Sequence, residues 1–260
     1  MKKIKALSSF IISVVFILTL IIPCFAEQTD YDFLLSCGYS AEFLDKLPKE
    51  SYSRMRDAIG NYDVFVFEDD LDEKPNMARG AIDEEHLALD LEVAQLCQKD
   101  TNIINGYLVA ATWTWAEGKP INNLNQDLIS INWNAELLNI AGDGAFYSQD
   151  WYKESASGEE IVFRECTTPA ASSQGGVGFY TELKWGKSFL GGGMLLILET
   201  SQPMYVGSSY SSSINMEYAH DFSIFGAGGA GFGVGPVSVS IDCGIMCDTM
   251  AEVETFKYSI

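Results

Sequence analysis

A chain of 260 residues with 36 acidic and 16 basic side chains carries a formal charge of −20. Such a surface repels phosphate polymers and anionic headgroups, which excludes nucleic acid as a partner and argues against an acidic lipid surface. A 47% hydrophobic content and a mean hydropathy of +0.06 exclude a chain too polar to fold, and leave ample material for a core.

Residues 1–26 read as a secretory signal peptide. Lys2, Lys3 and Lys5 form a positive start, Phe10 to Ile22 an apolar stretch, and Cys24-Phe25-Ala26 a small-x-small site before Glu27. The apolar stretch is short of the roughly 20 residues a spanning helix needs. Pro23 interrupts it, and is also a poor residue before a lipidated Cys24. Cleavage is therefore expected after Ala26. It leaves 234 residues and, with three Lys and no acid removed, a charge of −23.

Residues 27–68 read as a helical N-terminal segment. Gly38 is a break, Ser40 caps a helix that buries Phe43, Leu44 and Leu47, and Pro48 stops it. Lys49 to Ile59 places Tyr52, Met55 and Ile59 at helical spacing and ends at Gly60. Helices this short must dock on something. Residues 69–82 are charged, contain Pro75 and Gly80, and read as an acidic linker.

From 83 to 260 the apolar period changes to two. Leu87, Leu89, Leu91 and Val93 alternate with Ala88, Asp90, Glu92 and Ala94, which predicts a strand over the helix that Leu, Ala and Glu would also suit. Asp100-Thr101-Asn102 turns the chain into a strand over Tyr107–Trp115, and Asp127–Trp133 alternates strictly. Further strands are expected at Ala145–Trp151, Glu160–Glu165, Val177–Trp185, Met194–Leu198, Ile214–Ile224, Gly235–Ile241 and Val253–Tyr258. Short strands punctuated by Gly, Ser and Asn, with no long helix between them, predict a mainly β fold. An antiparallel β-sandwich-like domain, preceded by the short helical segment, is the expected architecture.

Trp113 and Trp115 share one strand face with Tyr107. Facing solvent, such rings form a platform for sugar rings; facing inward, they are core, the commoner fate of large aromatics. A second candidate lies at Phe222, Ile224, Gly226, Gly228, Gly231 and Phe232, where a Gly-rich hairpin over 222–241 would be able to enter a membrane. Gly226 to Gly231 also satisfies G-x-G-x-x-G, but it runs on to Pro236 and another strand. No helix starts there to meet a phosphate.

Catalysis finds little support. His86 and His220 are the only histidines. His220 precedes Asp221 and follows Ser208 to Ser213, so a Ser/His/Asp set can be drawn, yet no G-x-S-x-G or H-E-x-x-H pattern accompanies it. His86, after three acids, reads as a solvated residue at a strand start. Five cysteines follow the leader, Cys37, Cys97, Cys166, Cys243 and Cys247, an odd count whose pairing the spacing leaves open. Cys243 and Cys247 lack the second pair of ligands that zinc needs, and neither cofactor nor metal is expected.

The run Leu34-Leu35-Ser36-Cys37-Gly38-Tyr39-Ser40, with Phe43-Leu44 and Leu47-Pro48, resembles a segment that follows the leader in uncharacterised exported β-rich proteins of Gram-positive bacteria. Trp113-Thr114-Trp115, Pro120, the Asp127–Trp133 strand and Tyr218-Ala219-His220 are similar to parts of the same group. The resemblance implies a secreted origin and a β-rich body, and brings no activity or catalytic residue. The expected function is a secreted interaction protein, extracellular or associated with the cell wall, that binds envelope polysaccharide or another secreted protein. A membrane-active (pore-forming or bacteriocin-like) protein and an extracellular hydrolase are the alternatives.

Overall fold

Among the described residues, the computed structural model holds two antiparallel sheets and three short helices. It describes residues 29–47, 49–66, 82–83, 85–116, 126–142, 146–153, 161–182, 189–207, 211–221 and 247–257.

The helices form where capping residues permit. Thr29 accepts the Asp32 amide at 3.1 Å to open α1 (Asp30–Ser36), and Gly38, at φ +102°, supplies the left-handed residue that ends it. Ser40 does the same for α2 (Ala41–Lys46) through the Phe43 amide. The third helix, α3 (Lys49–Ile59), ends at Gly60 in the left-handed region. Tyr52 ties α3 back to α2 by donating to the Leu44 carbonyl at 2.8 Å.

Beyond α3 the chain forms a strand, β1 (Asp63–Val66), so the span 27–68 is not helical throughout as its pattern predicts. It pairs with β2 (Leu87–Cys97), so the residues on either side of the acidic stretch 69–82 share one sheet. That sheet continues through β3 (Ile103–Trp115) to the long β10 (Phe189–Tyr205), then β6 (Phe146–Lys153) and β7 (Ile161–Cys166). The short β5 (Leu138–Ile140) also pairs with β10, beyond the end of β6. The second sheet runs β12 (Cys247–Lys257), β11 (Ser211–Asp221), β4 (Gln126–Trp133), β9 (Gly176–Glu182), β8 (Ala171–Ser173).

Strand parity divides the interior into two cores. Leu89, Leu91 and Val93 of β2, and Val109, Ala111 and Trp113 of β3, face Ile129, Ile131, Phe179 and Met216 of the other sheet. The opposite faces of β2, β3 and β10 present Ala94, Leu96, Leu108, Ala110 and Leu195 to the helices, which bury Leu34, Phe43, Leu44, Met55 and Ile59 on them. Covered on both sides, β3 reads as a nearly unbroken apolar run, the pattern of a strand with no solvent face. The small Ala94 and Ala110 let the helices approach closely. The fold is thus an antiparallel sandwich with a helical layer against one sheet, as the period-two pattern predicts.

No helix among the described residues is long and apolar enough to cross a membrane.

Candidate functional site

The aromatic strand face of β3 lies inside the sandwich. Tyr107, Trp113 and Trp115 are 0%, 1% and 4% exposed. Their odd parity is that of Val109 and Ala111, which turns all of them toward the second sheet. An exposed sugar platform at these three positions is therefore corrected to core. Trp113 packs on Tyr218 with ring centroids 5.3 Å apart, and its indole lies where a Cβ on Gly192, its cross-strand partner, would stand.

At the end of this core the same inward row becomes polar. Asp127, the second residue of β4, has no exposure and stands opposite Thr181 of β9. Tyr218 donates its hydroxyl to Asp127 Oδ2 at 2.6 Å and accepts from Trp115 Nε1 at 3.0 Å. His220 Nδ1 lies 2.9 and 3.0 Å from the two Asp127 oxygens. An ionised carboxylate only accepts, so Nδ1 carries the proton in this network. Burial, and then the Asp127 charge, push the Tyr218 phenol well above its usual range and keep it a donor.

Of the Ser/His/Asp set that sequence proximity suggests, Ser208 and Ser209 and the side chains of Ser211, Ser212 and Asp221 lie outside the described residues. Ser213 is exposed, and with odd parity it stands on the other face of β11, seven positions from His220. That is about 23 Å along a strand. The partner of His220 is Asp127, 93 residues away, which only the register of β4 against β11 brings close. His86 is half-buried in the turn before β2, and its carbonyl accepts from the Ala116 amide. Phe222, Ile224, Gly226, Gly228, Gly231 and Phe232, and with them the G-x-G-x-x-G run, lie outside the described residues. Among the described cysteines, Cys37, Cys97 and Cys166 are free. Among the described residues no group of three or more His, Cys, Asp or Glu is placed to hold a metal ion.

A second arrangement opens to solvent at the other end of the seven-stranded sheet. Asn105 is an extra residue in β3: Leu96 pairs with Gly106 and Cys97 with Ile104, leaving Asn105 without a partner on β2. On the other side, β10 pairs Glu199 with Gly106 and then Met204 with Ile104, so Thr200 to Pro203 stand out opposite Asn105 alone. Pro203 has no amide to give to a ladder. The excursion is held from outside: the Ser201 amide donates to the Leu137 carbonyl at 2.8 Å, and Asn139 Nδ2 donates to Ser201 Oγ at 2.9 Å.

The two irregularities frame a cleft of about 640 Å³. Leu96, Ile197 and Ala141 give it apolar walls, and Asn105, Glu199, Ser201 and Gln202 line it with polar side chains. Tyr62 and Tyr205 line it as well, 39% and 43% exposed, where the aromatic rings of the β3 core face are buried. Tyr62 arrives there because Gly60 ends α3 and the Tyr62 amide turns back onto the Ile59 carbonyl at 3.0 Å. Gly106 lines it too, and is held to glycine by β10, which passes so close that a Cβ there would collide with the Leu198 carbonyl oxygen.

No family model matches the chain, and no curated protein matches it. Among solved structures, AvmM, described as catalysing macrocyclization in alchivemycin A biosynthesis, is 10% identical over 71% of this chain and 95% of its own. Its TM-score of 0.30 carries no argument about this chain.

Proposed function

We propose that the protein is a secreted interaction module, released by cleavage after Ala26 and acting outside the cell or on its wall. Polysaccharide or another envelope component is its target. The observation that carries this reading is the cleft where Tyr62 and Tyr205 keep exposed rings beside Asn105, Glu199, Ser201 and Gln202. Half-exposed aromatic rings combined with a few convergent polar groups are the chemistry of a binding site. The leader pattern and the acidic charge suit an exported protein.

Co-sedimentation of the secreted chain with bacterial cell-wall sacculi and, in parallel, with neutral liposomes tests it. Pelleting with sacculi alone supports the reading. Pelleting with lipid instead moves the function to residues 222–241 and their membrane activity, and solubility in both removes the envelope as target.

One observation favours a second reading, an extracellular hydrolase. Asp127 on Nδ1 of His220 is the arrangement that orients a catalytic imidazole. A His220→Ala variant that keeps every activity found in a broad hydrolase screen removes that reading.

A further inference from the structure

The cleft's chemistry goes further than the presence of a target. We infer that it binds a neutral, hydroxyl-rich glycan chain, with sugar rings stacked on Tyr62 and Tyr205; this rests on the interaction-module reading above.

Charge narrows the choice first. Among the described residues lining the cleft there is no Lys, Arg or His, and the one ionisable acid is Glu199. A phosphate- or uronate-bearing polymer would meet a carboxylate with no cation to offset it, on a chain of net charge −20. Hydroxyl groups suit the same wall, because Glu199 accepts, while Asn105, Ser201 and Gln202 both donate and accept.

Geometry narrows it again. A fatty or peptide apolar ligand would call for a wall closed by side chains. Here the β10 excursion at Thr200–Pro203 and Asn105, which has no partner on β2, put polar groups at the end of the sheet. The half-exposed Tyr62 and Tyr205 in its lining offer rings to flat, partly apolar faces, which sugar rings have on their C–H sides.

Affinity electrophoresis and titration calorimetry test this, with the secreted chain against soluble neutral glucans, mannan and chitin oligosaccharides, and against polygalacturonate and a polyglycerol phosphate. Binding is expected to a neutral polymer and not to the anionic ones. Tyr62→Ala and Tyr205→Ala should each weaken it roughly three- to tenfold, and Tyr→Trp at either position should retain it. Both tyrosines are half-exposed, so melting temperatures of the Ala variants should match the parent, which separates lost contact from lost fold.

Equal binding of the anionic polymers, or unchanged neutral binding in the double Ala variant, overturns the inference. If the double variant still pellets with sacculi as the parent does, the cleft is not the site while the envelope reading stands. If the parent binds neither sacculi nor any glycan, both fail.

Discussion

Trp115 and Tyr218 join the two sheets: the indole Nε1 of β3 donates to the phenol oxygen of β11 at 3.0 Å, inside the core. Tyr218 passes the polarity on to Asp127, and Asp127 holds His220, so a chain of hydrogen bonds crosses from one sheet to the other. Buried polar groups are costly unless satisfied, and this chain satisfies the Tyr218 hydroxyl in both directions.

Tyr218→Phe should therefore destabilise by about 1–3 kcal/mol, because it strands the Trp115 N–H and removes one donor from a buried carboxylate. Urea denaturation measures it. In a Trp115→Phe background the same change should cost less, since one of the stranded groups is already gone. Equal costs in the two backgrounds would show that the indole–phenol bond contributes nothing.

Glycines in the sheets are not equivalent. Gly192 faces the Trp113 indole, which occupies the place of a Cβ, so Gly192→Ala must displace a fully buried ring. Overpacking of that kind costs about 1–3 kcal/mol. At Gly178 a Cβ would meet the Ile129 carbonyl at 3.5 Å and Leu128 and Ser130 at 3.6 Å, ordinary contact distances. Gly178→Ala should leave the midpoint of unfolding unchanged or raise it slightly. Similar losses at both positions would refute the steric account.

The helical layer is a second core and not a decoration. Met55 is fully buried where α3 meets β3 and β10, so Met55→Ala should cost about 2–5 kcal/mol, depending on how far the site collapses. Leu35, 37% exposed on α1, is the control, and its replacement by Ala should stay within about 0.5 kcal/mol. Should Met55→Ala behave like Leu35→Ala in thermal melts, the helices would not be stabilised by docking on the sheet.

Local chemistry made much of this fold legible. Ser40 and Gly60 bound their helices as capping rules require, and the alternation of Leu87, Leu89, Leu91 and Val93 marks β2. Parity also shows that Trp113, Trp115 and Tyr107 share a face. It cannot say which face is covered, and in β3 both are. The cleft was hidden for a different reason. Strands read as Tyr107–Trp115 and Met194–Leu198 stop just short of Asn105 and of Thr200–Pro203, because bulged residues break the alternation that identifies a strand. The one local signal was an Asn-Gly pair and a Pro within longer strand-like runs. Asp127 and His220 meet through strand register alone, and register between distant strands has no local signature.

Glu217 sets a pH dependence of defined sign. It is 6% exposed on the outer face of β11, and its cross-strand neighbours, Ser130 and Ala251, bring no positive charge. Burial raises its carboxyl above the usual 4.5. A group whose pKa is raised by folding favours the folded state only while protonated. Its contribution is thus present below about pH 4.5 and lost as the pH rises through the folded value. At neutral pH the folded chain carries a poorly solvated charge that the unfolded chain does not. Glu217→Gln keeps the shape and removes the charge, so it should raise the melting temperature at pH 7 by roughly 2–4 °C. The gap should shrink toward pH 4, where parent and variant are both neutral at this position. A gain that persists undiminished at pH 4, or a loss at pH 7, would mean that the carboxylate is satisfied in the fold and that burial is not what governs it.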